Sequence, residues 1–178
     1  MILITGIGRS GTKYTATLLQ KARISVGHEM LLSDGIVCWK HAIFAAQFSP
    51  VIHQLRDPIH TIGSMQTISK DSIKYMDRYV ITAKANNELH LLMQLWYKWQ
   101  LLCEHYSKFT FRVENIAKSW DAIMEILLRK NVAMPIVPTD THTRKGKYKP
   151  ITLQQMFDID RQLTIDIITF AKKYGYKY

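Results

Sequence analysis

Residues Met1 to Thr5 read MILIT, and GIGRSGTKY follows at once and runs into an apolar-periodic stretch. A short β-run feeding a Gly-rich turn and then a helix start gathers several backbone N–H groups and the positive end of a helix dipole around one point. An anion fits there. Gly6, Gly8 and Gly11, with Arg9, Ser10 and Thr12 among them, exceed what a tight βα turn requires, so the loop reads as a phosphate site.

The loop comes close to a Walker A sequence without being one. That motif needs Gly, four residues, Gly, then Lys and a hydroxyl residue, because the lysine reaches the β- and γ-phosphates and the hydroxyl takes magnesium. Gly6 and Gly11 have the spacing, but Thr12 stands at the lysine position and Lys13 at the hydroxyl position. Arg9, inside the loop, is placed to supply positive charge instead. The arrangement resembles the 5′-phosphosulfate loop of sulfotransferases, which carry Lys or Arg followed by Ser-Gly-Thr and take 3′-phosphoadenosine 5′-phosphosulfate as donor. The resemblance implies that Gly8, Arg9, Ser10, Gly11, Thr12 and Lys13 hold the 5′ end of that donor. Tyr14 takes the place of a tryptophan that stacks on adenine in many members, and a tyrosine ring stacks in the same way.

Two further segments fall in the order of that family. Val51 to Leu55 reads as a strand, Arg56-Asp57-Pro58 follows, and Ser64 lies eight residues after Arg56. An Arg at a strand end and a Ser eight residues on bind the donor's 3′-phosphate in sulfotransferases, through paired guanidinium N–H bonds and a hydroxyl. Arg144-Lys145-Gly146 resembles the loop that folds over the same phosphate. Alone, four basic residues between 144 and 149 would read as a solvated loop. The stretch FRVENI resembles a Tyr-Glu-Asp-Leu segment of the family, with Val113 in place of a tyrosine that touches adenine.

Sulfuryl transfer needs a base beside the acceptor and cations beside the leaving phosphate. In several sulfotransferase branches the base is a Glu or His shortly after the first helix. Here VGHEM supplies His28 and Glu29, the latter twenty residues past Arg9, so the resemblance implies Glu29 as base with His28 as the alternative. His41, in CWKHA, is a weaker candidate. The histidines show no HExxH or other metal spacing, and no metal is expected.

The chain of 178 residues fits one domain, 1–178, with an ordinary core. The expected fold is α/β, a P-loop NTPase-like three-layer sandwich with a central parallel β-sheet flanked by helices. Strands are expected at the N-terminus, at Ile24 to Val26, at Val51 to Leu55 and at Phe109 to Val113. Helices are expected from Thr12 to about Lys21, from Asp34 to Gln47 with Asp34 as cap, over most of Pro58 to His105, after Val113, and from Asp158 to Tyr174. Two distant cysteines suggest neither a zinc site nor a redox pair. With no apolar run near the ~20 residues of a membrane span and no leader before the first strand, a cytoplasmic protein is expected. A formal charge of +10 points to anionic partners. No zinc-finger spacing, RNA-binding aromatic motif or basic recognition helix accompanies it, so nucleic acid is not expected. A P-loop nucleoside or nucleotide kinase and a non-catalytic basic anion-binding module are the alternatives. The acceptor class and the oligomeric state are left open.

Overall fold

The first apolar run becomes the middle strand of the sheet. In the computed structural model, which describes residues 1–136 and 148–178, β1 (Ile2–Thr5) lies between β3 (Gly35–Val37) and β4 (Val51–Leu55). The edges are β2 (Val26–His28) and β5 (Phe109–Arg112). The order is β2-β3-β1-β4-β5 and every pairing is parallel. Leu3 stands beside both Ile36 and Val51, so the carboxyl ends of the central strands share one rim, where parallel α/β sheets bind ligands.

Helices cover both faces of the sheet, which is why β1 and β4 are buried along their whole length. The two faces of β1 alternate as a strand requires. Ile2 and Ile4 join Ile52 and Phe111 in a cluster with α1 (Thr12–Lys21) and α5 (Ile116–Ile126). Leu3 turns the other way, packing with Ile36, Val51 and Ala45 of a 3₁₀ helix (Lys40–Gln47). On that second face α2 (Pro58–Met65), α4 (Glu88–Tyr106) and α7 (Arg161–Lys173) surround Leu55, Trp96, Trp99 and Phe170. The further helices α3 (Lys70–Val80) and α6 (Leu153–Ile159) bury Met76 and Met156 there. No helix among the described residues is long and apolar enough to cross a membrane.

Three boundaries differ from the sequence expectation. The helix expected from Asp34 is a strand followed by the 3₁₀ helix, because Ile36, Val37, Cys38 and Trp39 are all buried and a run apolar on every side suits a central strand. Asp34 caps no helix; its carboxylate accepts the Ser25 N–H at 2.7 Å and ties the start of β3 to the start of β2. The second strand lies later than Ile24 to Val26 and takes His28 into the sheet. The last helix is two, broken at Asp160. Its extended backbone and its carboxylate, which accepts the Leu163 N–H at 2.9 Å, start a new helix inside a continuous apolar period.

One buried polar group faces the second layer from β4. His53 has no solvent exposure; its Nε2 pairs with Gln100 Oε1 at 2.7 Å and its Nδ1 with Thr110 Oγ1 at 3.2 Å. With Gln100 accepting, Nε2 carries the proton and Nδ1 accepts from the threonine. Burial pushes its pKa down to about 4, against weaker opposing effects of Gln100 and Glu104. The unfolded imidazole takes a proton below about pH 6.5 and the folded one only near 4, so this contribution to stability is complete above 6.5 and is lost as the pH falls toward 4. Urea unfolding at pH 7.5 and 4.5 is expected to show His53→Gln losing about 2 kcal/mol less stability than wild type across that interval. Equal losses would remove His53 as the source.

Candidate functional site

Where β1 ends, the chain runs close beside the end of its parallel neighbour β4, with Gly6 next to Gln54, and this contact shapes the loop. A Cβ at Gly6 would lie 2.2 Å from the Gln54 carbonyl oxygen, so only glycine fits at that close approach. The Gln54 side chain, fully buried, then donates from Nε2 to the Ser10 carbonyl at 2.6 Å, and Arg56 Nη1 donates to the Arg9 carbonyl at 3.1 Å. Two successive loop carbonyls are thus held by side chains from the end of β4. Because the peptide is planar and trans, the Gly11 N–H points away from the Gln54 side.

Arg9 has φ 74° and Gly11 φ 93°, a kinked path that turns the chain into α1. Glycine serves well at the second position, the N-cap of α1, since left-handed backbone is costly for a residue with a Cβ. Gly11 has no side chain to cap the helix, and the first amides of a helix have no partner within it. Ser10 Oγ is also buried without a hydrogen-bond partner among the described residues. Orphaned donors at a helix start, in a loop bent by glycines, make an anion cradle.

The segments expected to act together are joined by hydrogen bonds. Arg9 Nη2 donates to the Thr67 carbonyl at 2.8 Å, and Thr67 donates its N–H and hydroxyl to the Ser64 carbonyl at 3.2 and 2.9 Å. Arg9 therefore links the loop to the end of α2, on which Ser64 is buried, while Arg56 links it to the end of β4. Arg144, Lys145 and Gly146 lie outside the described residues. Two residues further on, the chain is anchored on α2: a Cβ at Gly63 would lie 3.2 Å from the Tyr148 ring, and Gln66 Nε2 donates to the Lys149 carbonyl at 3.0 Å.

The candidate bases stand on the opposite side of the loop. His28 Nε2 lies 3.2 Å from Thr12 Oγ1, which ties the end of β2 to the first residue of α1. Burial lowers the His28 pKa, Glu29 opposes that effect and Lys13 adds to it, so at neutral pH the ring is an uncharged partner of the hydroxyl. Glu29 is exposed, with φ 59°, and its carboxylate accepts the Trp39 indole N–H at 3.1 Å. Trp39 also lies beneath the loop, 3.8 Å from where a Cβ on Gly8 would stand. Glu29 thus reaches the loop through an indole.

The remaining expected residues are spread around this centre. Lys13 is exposed and Tyr14 half-buried, the latter packed against the α1 and α5 cluster. Val113 closes on the loop, 3.2 Å from a would-be Cβ of Gly11. His41 sits between Phe44 and Phe48, both at 6.1 Å between ring centres, and burial lowers its pKa. Sequence reasoning missed Gln54 and Trp39. A neutral amide in a strand and a tryptophan in an apolar run carry no motif, and only their tertiary contacts with the loop and Glu29 give them their role. Open concavities of about 650 and 400 Å³ lie at the end of α5 and between α3 and α4. Neither is lined by the loop, but a cradle of backbone N–H groups needs no deep apolar cavity.

Compared with known protein families, curated proteins and solved structures, the chain has no match in any of the three.

The two inner glycines differ sharply in how close their neighbours come. Gly6→Ala pushes a methyl into the backbone of β4 at 2.2 Å, whereas Gly8→Ala meets the flexible end of Ile68 at 3.2 Å. Urea unfolding is expected to show a loss of about 1–3 kcal/mol or more for Gly6→Ala and under about 1 kcal/mol for Gly8→Ala. Equal losses would contradict the close approach of Gly6 to the β4 backbone.

Proposed function

We propose that the chain is a sulfotransferase of P-loop-like fold that uses 3′-phosphoadenosine 5′-phosphosulfate. The observation that carries this reading is the bond from Arg56 Nη1 to the Arg9 carbonyl, together with that from Arg9 Nη2 to Thr67. Through them the 5′-phosphate loop, the strand-end arginine and the helix of Ser64 form one connected surface, as a donor phosphorylated at both ends of its ribose requires.

Each residue then has a task. The backbone N–H groups at the start of α1, with the Ser10 and Thr12 hydroxyls, hold the 5′-phosphate. Arg56 and Ser64 hold the 3′-phosphate, and Arg144, Lys145 and Gly146 close over it. A guanidinium carries five donors, so Arg56 keeps its bond to the loop while contacting phosphate. Arg9 stabilises negative charge on the leaving phosphate oxygen. As the bond from sulfur to that oxygen breaks, sulfur bonds to the acceptor oxygen or nitrogen, and Glu29 takes the acceptor's proton. Trp39 orients the Glu29 carboxylate, and His28 is the second candidate for the proton.

Calorimetry with adenosine 3′,5′-bisphosphate, AMP and ATP tests the donor assignment. Charge-assisted bonds to the 3′-phosphate of about 1.5–3 kcal/mol each predict at least a ~10-fold preference for the bisphosphate over AMP, largely abolished in Arg56→Ala. Equal affinity for AMP, or magnesium-dependent preference for ATP, would replace this reading with the kinase.

Turnover separates the two bases. With release of adenosine 3′,5′-bisphosphate followed against pooled sugars, lipids and phenols, Glu29→Gln is expected to lower kcat by roughly 100-fold to 10,000-fold with bisphosphate affinity unchanged. His28→Asn costs much less. The opposite order transfers the role to His28, and a wild-type protein that binds the bisphosphate but turns over no acceptor is the basic binding module.

A further inference from the structure

The C-terminal segment packs onto the turn that carries Arg56, and it does so through two tyrosine hydroxyls. Tyr178 Oη donates to Asp57 Oδ2 at 2.6 Å, and Tyr176 Oη donates to Glu114 Oε2 at 2.8 Å. The other oxygen of each carboxylate continues the network. Glu114 Oε1 accepts the Asp57 backbone N–H at 2.8 Å, and Asp57 Oδ1 accepts the His60 N–H at 2.9 Å as the N-cap of α2.

The rest of the segment is held as firmly. Tyr176 is buried, with the Arg112 guanidinium carbon 3.8 Å from its ring centre, and Arg112 Nη1 donates to the Gly175 carbonyl at 2.8 Å. Burial and the facing carboxylates push both phenol pKa values above the ordinary tyrosine range. The hydroxyls therefore stay protonated and can only donate to carboxylates.

We infer that Tyr176 and Tyr178 are positioning residues for the 3′-phosphate end of the donor site: they clamp Asp57, and so fix the strand-end Arg56 before it and the α2 helix of Ser64 after it. The backbone N–H of Asp57 closes the peptide from Arg56, so the bond to Glu114 sets the direction in which the arginine leaves β4. The Asp57 carboxylate starts α2, and Ser64 follows seven residues later, two turns along the same face. Both ends of the Arg56/Ser64 pair thus depend on one aspartate, whose Oδ2 accepts Tyr178 and whose N–H is held by the Glu114 that accepts Tyr176, while Oδ1 also faces the His60 ring at 2.9 Å.

This inference rests on the donor assignment proposed above, and one experiment separates the two. The double variant Tyr176→Phe/Tyr178→Phe keeps both rings and their packing and removes only the hydroxyls. Its affinity for adenosine 3′,5′-bisphosphate is measured by calorimetry against its affinity for AMP, with the wild-type protein alongside. The expected result is about a 10-fold loss for the bisphosphate with AMP changed less than about twofold, which a merely structural role would not produce. Faster amide exchange at Asp57 and His60 is expected in the same variant. Should that variant fail to fold, Tyr178→Phe alone is measured and the same selective loss, smaller in size, is expected. A wild-type preference for the bisphosphate that persists in the folded variant overturns the clamp and leaves the donor assignment standing. A wild-type protein with no such preference overturns the donor assignment itself, and the clamp's role with it.

Discussion

Everything at the rim of the sheet depends on the close approach of the chain leaving β1 to the end of its parallel neighbour β4. Gly6 lies against the Gln54 backbone, and Gln54 and Arg56 hold the Ser10 and Arg9 carbonyls from below. A flexible Gly-rich loop would lose much conformational entropy on closing around an anion. Here that ordering is already present, because buried β4 supplies one donor from its interior and a second from its end. The loop's donors are oriented before any ligand arrives, which is what preorganised recognition of charge requires.

Contacts made by the loop and its surroundings also bring distant segments together. Arg9 holds the Thr67 carbonyl, which places the loop beside the end of α2, while Thr12 and Trp39 reach His28 and Glu29 on the other side. The sheet order sets this distribution. With β1 in the middle, the turn after β4 lies on one flank of the loop and the end of β2, beyond β3, on the other. The flank that carries Arg56 and Ser64 and the flank that carries His28 and Glu29 are therefore separated by the loop.

Much of this was legible in the sequence, and what was not has physical reasons. Thr12 to Lys21 as the first helix and Val51 to Leu55 as a strand were read within a residue or so, because their periods and breakers agree. The resemblance implied that Arg9 and Arg56 serve the same ligand, but the bond from Arg56 to the Arg9 carbonyl is a tertiary contact that the sequence does not report. Gly35 to Val37 was hidden as a strand because Asp34 imitates a helix cap and a short apolar run has no decisive period. Asp160 was hidden as a break because the apolar stripe of the last helix continues across it. Gln54, Trp39 and the tyrosines at 176 and 178 gain their roles only from tertiary contacts, over sequence separations that no local pattern reports.

The central claim is that one surface, built from the loop, the end of β4 and α2, holds a nucleotide phosphorylated at both the 5′ and 3′ positions. A crystal structure of the protein with adenosine 3′,5′-bisphosphate tests it most directly. The account predicts the 5′-phosphate on the backbone amides that begin α1 and the 3′-phosphate on the Arg56 guanidinium and the Ser64 hydroxyl. A bisphosphate bound away from Arg56, or with its 3′-phosphate facing solvent, would contradict it.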